Sequence, residues 1–274
     1  MQFDYSPKIM AIWNISPDSF SSFCEADGAD SFAHAERLCK EGADILDIGA
    51  ESTRPGAVPI SEAEEIQRLK EPLLWARTHL HCPISLDSRH PGTIEWALSE
   101  GLADIVNDIG ASARPGDERD GRIYRAAARA NAGLVVMAWE DHNAEILPFD
   151  VCLKKIYEQL AMRVEFAVNQ GVDRRSIVVD PGIGFGKGME NDLRLITHAP
   201  KALADLGCPV LIAHSRKRCL ARLTGLGIES LDLPTAIASA MAFCSGAAMV
   251  RVHQPGDSVI ARQLFLSSSP SFVL

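Results

Sequence analysis

The sequence predicts an α/β chain folded as one (β/α)8 barrel. Eight short apolar runs recur along 274 residues with helical stretches between them, as expected of parallel strands buried on both faces. One phrase occurs three times between a helical stretch and the next apolar run: Glu41-Gly42-Ala43-Asp44, Glu100-Gly101-Leu102-Ala103-Asp104 and Gln170-Gly171-Val172-Asp173. In each, glycine stops a helix and the chain re-enters a strand. The length suits one barrel domain, and no low-complexity linker divides it. A single domain is therefore expected over 1–274, its core at about 8–266. A doubly wound open sheet is the alternative, but no G-x-G-x-x-G follows the first strand, which disfavours a dinucleotide fold.

The strands are expected at 8–13, 44–48, 83–86, 104–106, 134–137, 176–179, 209–213 and 248–252. Between the first two, 31–41 carries Phe32, Ala35 and Leu38 at helical spacing and stops at Gly42. Ser61-Glu62-Ala63-Glu64 matches a capping box opening a helix to about Arg77. A helix over 91–100 starts on proline and ends before Gly101. Helices over 154–169 and 234–244 likewise end before Gly171 and Gly246.

Composition narrows the function classes. Lys plus Arg is 27 and Asp plus Glu is 36, a net charge of −9. Such a chain is a poor general binder of nucleic acid or anionic membrane, though a local basic pocket for a small anion remains open. Seven scattered cysteines without a C-x-x-C pair predict free, mostly buried thiols in a reducing compartment. The N-terminus lacks an apolar signal core and no run of about 18 apolar residues occurs, so a cytoplasmic protein is expected.

The strand ends carry the chemistry. The first strand ends at Asn14. The second contains Asp47 and runs into Glu51-Ser52-Thr53-Arg54-Pro55-Gly56. The third ends at Asp87, the fourth at Asn107-Asp108 and the sixth at Asp180; the seventh opens into His214-Ser215-Arg216-Lys217, and the eighth ends with Arg251 and His253. Any one of these reads equally well as a turn or helix cap. Together, in a barrel, they converge on the catalytic mouth. Asp87, Asn107, Asp180 and Lys217 offer the acceptors and donors that read a flat, nitrogen-rich heterocycle. Asn14, Arg54, Arg251 and His253 suit an anion, and Asn14 offers a neutral oxygen to Mg²⁺.

These residues also lie in familiar runs. Asn14-Ile15-Ser16-Pro17-Asp18-Ser19-Phe20-Ser21 and Asp47-Ile48-Gly49-Ala50-Glu51-Ser52-Thr53-Arg54-Pro55-Gly56 resemble the two signatures of the dihydropteroate synthases. Ile84-Ser85-Leu86-Asp87-Ser88, Val106-Asn107-Asp108-Ile109, Asp180-Pro181-Gly182-Ile183-Gly184-Phe185-Gly186-Lys187, Ser215-Arg216-Lys217 and Arg251-Val252-His253 follow in family order. The resemblance implies a TIM barrel that condenses 6-hydroxymethyl-7,8-dihydropterin pyrophosphate with p-aminobenzoate, giving dihydropteroate and pyrophosphate in folate biosynthesis. It implies that Asp87, Asn107, Asp180 and Lys217 hold the pterin. It implies that Asn14 touches Mg²⁺ and that Arg251 and His253 bind the leaving pyrophosphate. Thr53, Arg54, Phe185 and Ser215 would shape the p-aminobenzoate side. Asp87, Asp180, Lys217, Arg251 and His253 are thus the expected catalytic set, in a sulfonamide-target enzyme that is commonly a homodimer through its late helices.

Four departures from the family pattern stand out. Ser22-Phe23-Cys24 replaces Asp-Gly-Gly after Ser-Phe-Ser, Gly49-Ala50-Glu51 replaces Gly-Gly-Glu, Met137-Ala138-Trp139 replaces Met-His-Met, and Ala213-His214 replaces Gly-Met before Ser-Arg-Lys. Trp139 is expected to pack rather than stack on a ring. His214 reads either as a substrate contact or as a satisfied strand-end histidine. Lys187 is expected on the surface and the Glu62 to Arg68 face in solvent. Cys219 is expected in helix packing. Two alternatives remain open: a pterin-dependent methyltransferase, disfavoured by the Glu-Ser-Thr-Arg-Pro-Gly and Ser-Arg-Lys runs, and a non-catalytic or divergent pterin-binding paralogue.

Overall fold

The computed structural model describes residues 1–15, 27–51, 58–108, 117–141 and 144–268. Among these, eight strands alternate with nine α-helices: β1 Lys8–Asn14, α1 Asp27–Lys40, β2 Ile45–Gly49, α2 Glu62–His79, β3 Ile84–Asp87, α3 Pro91–Ser99, β4 Ile105–Asp108, α4 Glu118–Ala130, β5 Gly133–Met137, α5 Phe149–Asn169, β6 Ile177–Asp180, α6 Met189–Ala202, β7 Leu211–Ile212, α7 Arg218–Thr224, α8 Asp232–Cys244, β8 Met249–Val252 and α9 Pro255–Ser268. The strands run in the order β6-β5-β4-β3-β2-β1-β8-β7, and every pair is parallel. A parallel bridge from Val179 to Val210 brings β7 back to β6, so the barrel is nearly closed. The predicted fold class holds. No described helix is long and apolar enough to cross a membrane.

Alternation along each strand sorts the side chains into two apolar regions. Ile9, Ala11 and Trp13 of β1, with Leu46, Ile48, Leu86, Val106, Leu134 and Val136, face the helices. Met10, Ile45, Ile105, Val135, Val178, Leu211 and Met249 face inward, with Phe3 beside them. Two places further along, four of these seven positions turn polar, as Asp47, Asn107, Asp180 and Arg251, while Ile12, Met137 and Ala213 keep the other three apolar. The barrel therefore has an apolar floor and a polar mouth.

The repeated links work as their chemistry suggests. Gly42, Gly101 and Gly171 adopt φ of 98°, 67° and 96°, a region open to glycine without strain. The aspartate that follows then stitches strands together: Asp44 accepts from the Ile9 amide at 2.7 Å and Asp104 from the Ile84 amide at 2.8 Å. Half of the capping box forms. Ser61 Oγ accepts from the Glu64 amide at 3.2 Å, while the Glu64 carboxylate turns away to Arg68.

Some expectations are corrected. Helices α4, α6, α7 and α9 carry no mark in the sequence reading. The buried stripe of α4 includes Gly121, Tyr124 and Ala127, too short of large aliphatic residues to show an apolar period. Glu65 is fully buried rather than solvated, because Ser88 Oγ donates to its Oε2 at 2.7 Å beneath α2. Burial pushes its carboxyl above the usual range.

Candidate active site

The polar mouth is built around Arg251. Its Nε donates to Asp47 Oδ2 at 2.7 Å, and its Nη2 forms ion pairs with Asp47 and Asp87. Asn107 donates to the same Asp47 carboxylate at 3.2 Å. Register explains the meeting: Gly49 lies beside Asp87, and Asp87 beside Asn107. Asp87 Oδ1 is buried and has no hydrogen-bond partner. Such an acceptor is costly unless a ligand donates to it. Burial raises the Asp87 carboxyl above the usual range, and the Arg251 charge opposes that shift. Burial also raises Asp180, whose Oδ1 accepts from the Gly182 amide at 2.7 Å. Burial lowers the Lys217 ammonium, and Arg251 lowers it further. Burial alone would lower Arg251 too, but Asp47 and Asp87 outweigh it and hold its charge.

The β6–α6 loop forms the next wall. Gly182, Gly184, Gly186 and Gly188 all have positive φ. A Cβ on Gly182 would meet the Ala138 carbonyl oxygen at 2.0 Å, so only glycine fits there. Lys187 is 4% exposed, which overturns the surface expectation. Its Nζ donates to the carbonyls of Ala138, Gly182 and Phe185 at 2.9, 3.0 and 3.0 Å. Burial pushes this ammonium down to about 8. The Phe185 ring so placed lies 4.7 Å from Lys217 Nζ, in cation–π contact.

Lys217 follows a strained residue. Arg216 has φ of 54°, and its Nε and Nη2 fork onto Asp232 at 2.8 and 2.9 Å. That clamp offsets the backbone cost of an L-residue in the left-handed region. Ser215 Oγ lies 3.0 Å from His253 Nδ1 and accepts from the His253 amide at 3.1 Å, tying the ends of β7 and β8.

The structure thus brings Asp87, Asn107 and Arg251 into one network through Asp47, and joins Phe185 to Lys217 and Ser215 to His253. Asp180 ends β6 on the same mouth. Asn14 ends β1 with an exposed side chain. Thr53, Arg54, the Ser22-Phe23-Cys24 departure and most of the first signature lie outside the described residues. Two functional candidates escaped the sequence reading, Asp47 as a site residue and Lys187 as a buried one. An aspartate at an inward position of an apolar strand was the available signal for the first.

Other polar residues resolve into packing. Asp108 has the opposite parity to Asn107 and pairs with Arg119, which also donates to Asp120 at 2.7 Å. His214 is fully buried, with its ring nitrogens 3.2 Å from the Ile212 carbonyl and 2.9 Å from the Thr235 carbonyl, the satisfied strand-end case. Trp139 lines a small cavity with Leu147, Cys152 and Ile156, against α5. Cys219 is buried in α7. Glu51, Glu65 and His90 bring ligand atoms within 4.8 Å of one another. There Arg89 forks onto Glu51 at 2.9 and 2.6 Å, so the group gains cationic charge without a metal.

Residues 10–253 match the family model described as pterin binding enzyme. The dihydropteroate synthase of Neisseria meningitidis serogroup C is 38% identical over 253 residues, covering 90% of this chain and 87% of that one. A Xanthomonas albilineans dihydropteroate synthase structure with 4-aminobenzoic acid superposes with a TM-score of 0.84 at 33% identity, covering 97% of this chain and 94% of the other. An Anaplasma phagocytophilum dihydropteroate synthase with bound 6-hydroxymethylpterin-monophosphate gives 0.83 at 32% identity, covering 95% and 98%. With the barrel, the polar mouth and these likenesses in agreement, the chain belongs to the pterin-binding enzyme family, alongside the dihydropteroate synthases.

Proposed function

We propose that this chain is a transferase of folate biosynthesis. It condenses 6-hydroxymethyl-7,8-dihydropterin pyrophosphate with p-aminobenzoate to give dihydropteroate and pyrophosphate. The observation that carries the reading is the buried, unpartnered Asp87 Oδ1 within a mouth that also holds Asn107, Asp180 and Lys217. That set of acceptors and donors suits the N–H and carbonyl edges of a pterin. Departure of the pyrophosphate breaks a C–O bond beside an electron-rich ring, which spreads positive charge into the ring. Asp87 and Asp180 are the buried carboxylates available to stabilise that charge. Arg251 has Nε and Nη2 on carboxylates, so it would meet pyrophosphate oxygens through Nη1, with His253 at the same rim. The amine of p-aminobenzoate then attacks the cation and loses its proton. No activated serine or cysteine is required, in keeping with a sequence lacking a G-x-S-x-G elbow. Thr53, Arg54, Phe185 and Ser215 are proposed to face p-aminobenzoate, and sulfonamides, as aryl-amine mimics of it, would compete there.

Mg²⁺ is proposed as the cofactor. The exposed amide oxygen of Asn14 at the end of β1 fits a cation that keeps waters and substrate phosphates as its other ligands. When bound, the ion neutralises charge on the leaving pyrophosphate. The acidic chain with free thiols fits the cytoplasm, and the whole of it is proposed to act as one domain.

A homodimer is proposed through the late helices. Leu233, Ile237 and Met241 stand exposed at four-residue spacing on α8, and Ile260 and Leu264 on α9. Phe243 and Phe265 stack 6.1 Å apart between these two helices. Such a stripe suits a second copy. Ile237→Glu is expected to convert a dimer into a monomer in sedimentation velocity, while a monomeric starting protein would remove the proposal.

The test of function mixes the protein with both substrates and Mg²⁺ and measures dihydropteroate and pyrophosphate together. Equimolar formation of both supports the synthase. Tight pterin binding in calorimetry without either product would make the chain a non-catalytic pterin binder. Absence of both binding and turnover would overturn the reading altogether.

A further inference from the structure

We propose that Cys39 and Cys82 form a thiol pair that small-molecule disulfides oxidise to an intramolecular disulfide. Their sulfurs lie 3.2 Å apart although the residues are 43 positions apart in sequence. Cys39 is in the last turn of α1, and Cys82 sits two residues before β3. Both are half-buried, so a reagent can reach them, whereas Cys152, Cys208 and Cys219 are buried. The backbone holds both in place: the Cys39 carbonyl accepts from Gly42 at 3.1 Å, and the Pro83 carbonyl accepts from Leu46 at 3.1 Å. A disulfide bond is about 2 Å long, so closure asks each sulfur to move by well under 1 Å, roughly what a small side-chain rotation supplies.

The pair is chemically asymmetric. The hydrogen bond between the two thiols, which either sulfur can donate, lowers the Cys82 thiol and raises that of Cys39. Either thiol attacking first gives the same disulfide, and Cys82 is taken as the first thiolate to attack. Its sulfur bonds to one sulfur of oxidised glutathione and expels a glutathione thiolate, leaving a mixed disulfide. Cys39 then loses its proton to solvent, and its sulfur attacks Cys82 and expels the second glutathione thiolate. Two protein thiols become one disulfide, and oxidised glutathione becomes two thiols. The bond would join the first and second βα units at the strand N-termini, the end of the barrel opposite the mouth. It should therefore stiffen the chain without altering the polar site.

The intact protein is incubated with oxidised glutathione, alkylated under denaturing conditions and digested with trypsin. The expected product is a covalent link between segments 38–40 and 78–89. Its formation should raise Tm by about 5–10 °C, and dithiothreitol should reverse both. C39S and C82S should each lose the link, and neither should show the Tm rise. A denatured sample treated in parallel, with every cysteine accessible, reports that the reagent is active. Glutathione adducts in that sample with no 38–40 to 78–89 link in the intact protein would overturn the proposal. So would a stable mixed disulfide on Cys39 or Cys82 that never resolves, or a link from either to another cysteine.

Discussion

Asp87→Asn is expected to lower pterin affinity by about 10²–10³-fold, or about 3–4 kcal/mol, with little change in fold. The substitution keeps the shape but removes a charge that Arg251 and an incoming ligand would share. In the free protein Oδ2 is paired to Arg251 and Oδ1 has no partner. An amide in that place offers one neutral oxygen, and its nitrogen faces either the guanidinium or a ligand N–H, donor against donor. Calorimetry with the pterin substrate checks this, and unchanged affinity would remove Asp87 from the binding role. The pH dependence has a definite sign. Burial holds the Asp87 carboxyl above the usual aspartate range, against the pull of Arg251. Ligand N–H groups bind the carboxylate, so affinity is full above that raised pKa and falls as pH drops through it. Asp87→Asn should flatten this acid limb. For folding the direction is opposite. A raised carboxyl contributes stability that is present below the unfolded value and is lost as pH rises through the folded one.

What the sequence makes legible follows from locality. Asp87 and Asp180 end short apolar runs, so strand parity and the following turn declare them without any knowledge of partners. The glycine-stopped helices are legible for the same reason. Asp47 is different: it lies inside β2, and its meaning comes from Arg251, 204 residues later. Asn107 and Asp108 are adjacent and look alike in sequence, but pleating sends one to Asp47 and the other to Arg119. Glu65 reads as part of a solvated acidic face until Ser88, 23 residues on, is placed beneath it. Polar residues whose partners are distant in sequence thus hide in plain composition, whereas apolar periodicity does not.

Lys187→Met is expected to reduce kcat/KM by about 10²-fold, as expected of roughly 3 kcal/mol of lost positioning. Each Nζ hydrogen bond in the native protein meets a main-chain carbonyl, one from the β5 end and two from the loop that follows β6. The same Gly182 peptide region supplies the amide that holds Asp180, and Phe185 supplies the ring beneath Lys217. Removing the ammonium therefore loosens two walls of the mouth at once. The energetic balance is a competition. Depression of Lys187 from 10.5 to about 8 means that keeping the charge buried costs roughly 3 kcal/mol near neutrality. Methionine removes that cost but strands three carbonyls, each at about 1–3 kcal/mol. Destabilisation wins once each carbonyl costs more than about 1 kcal/mol, and a Tm fall of about 5–10 °C is expected for a net loss on the order of 3 kcal/mol. Linkage supplies a readout that packing alone does not move. Between about 8 and 10.5 the unfolded chain keeps a proton that the folded chain has released. Native stability should therefore rise with pH across that window relative to Lys187→Met. Parallel stability curves for the two proteins would mean that the ammonium is not held in this dry site, and the brace would lose its physical basis.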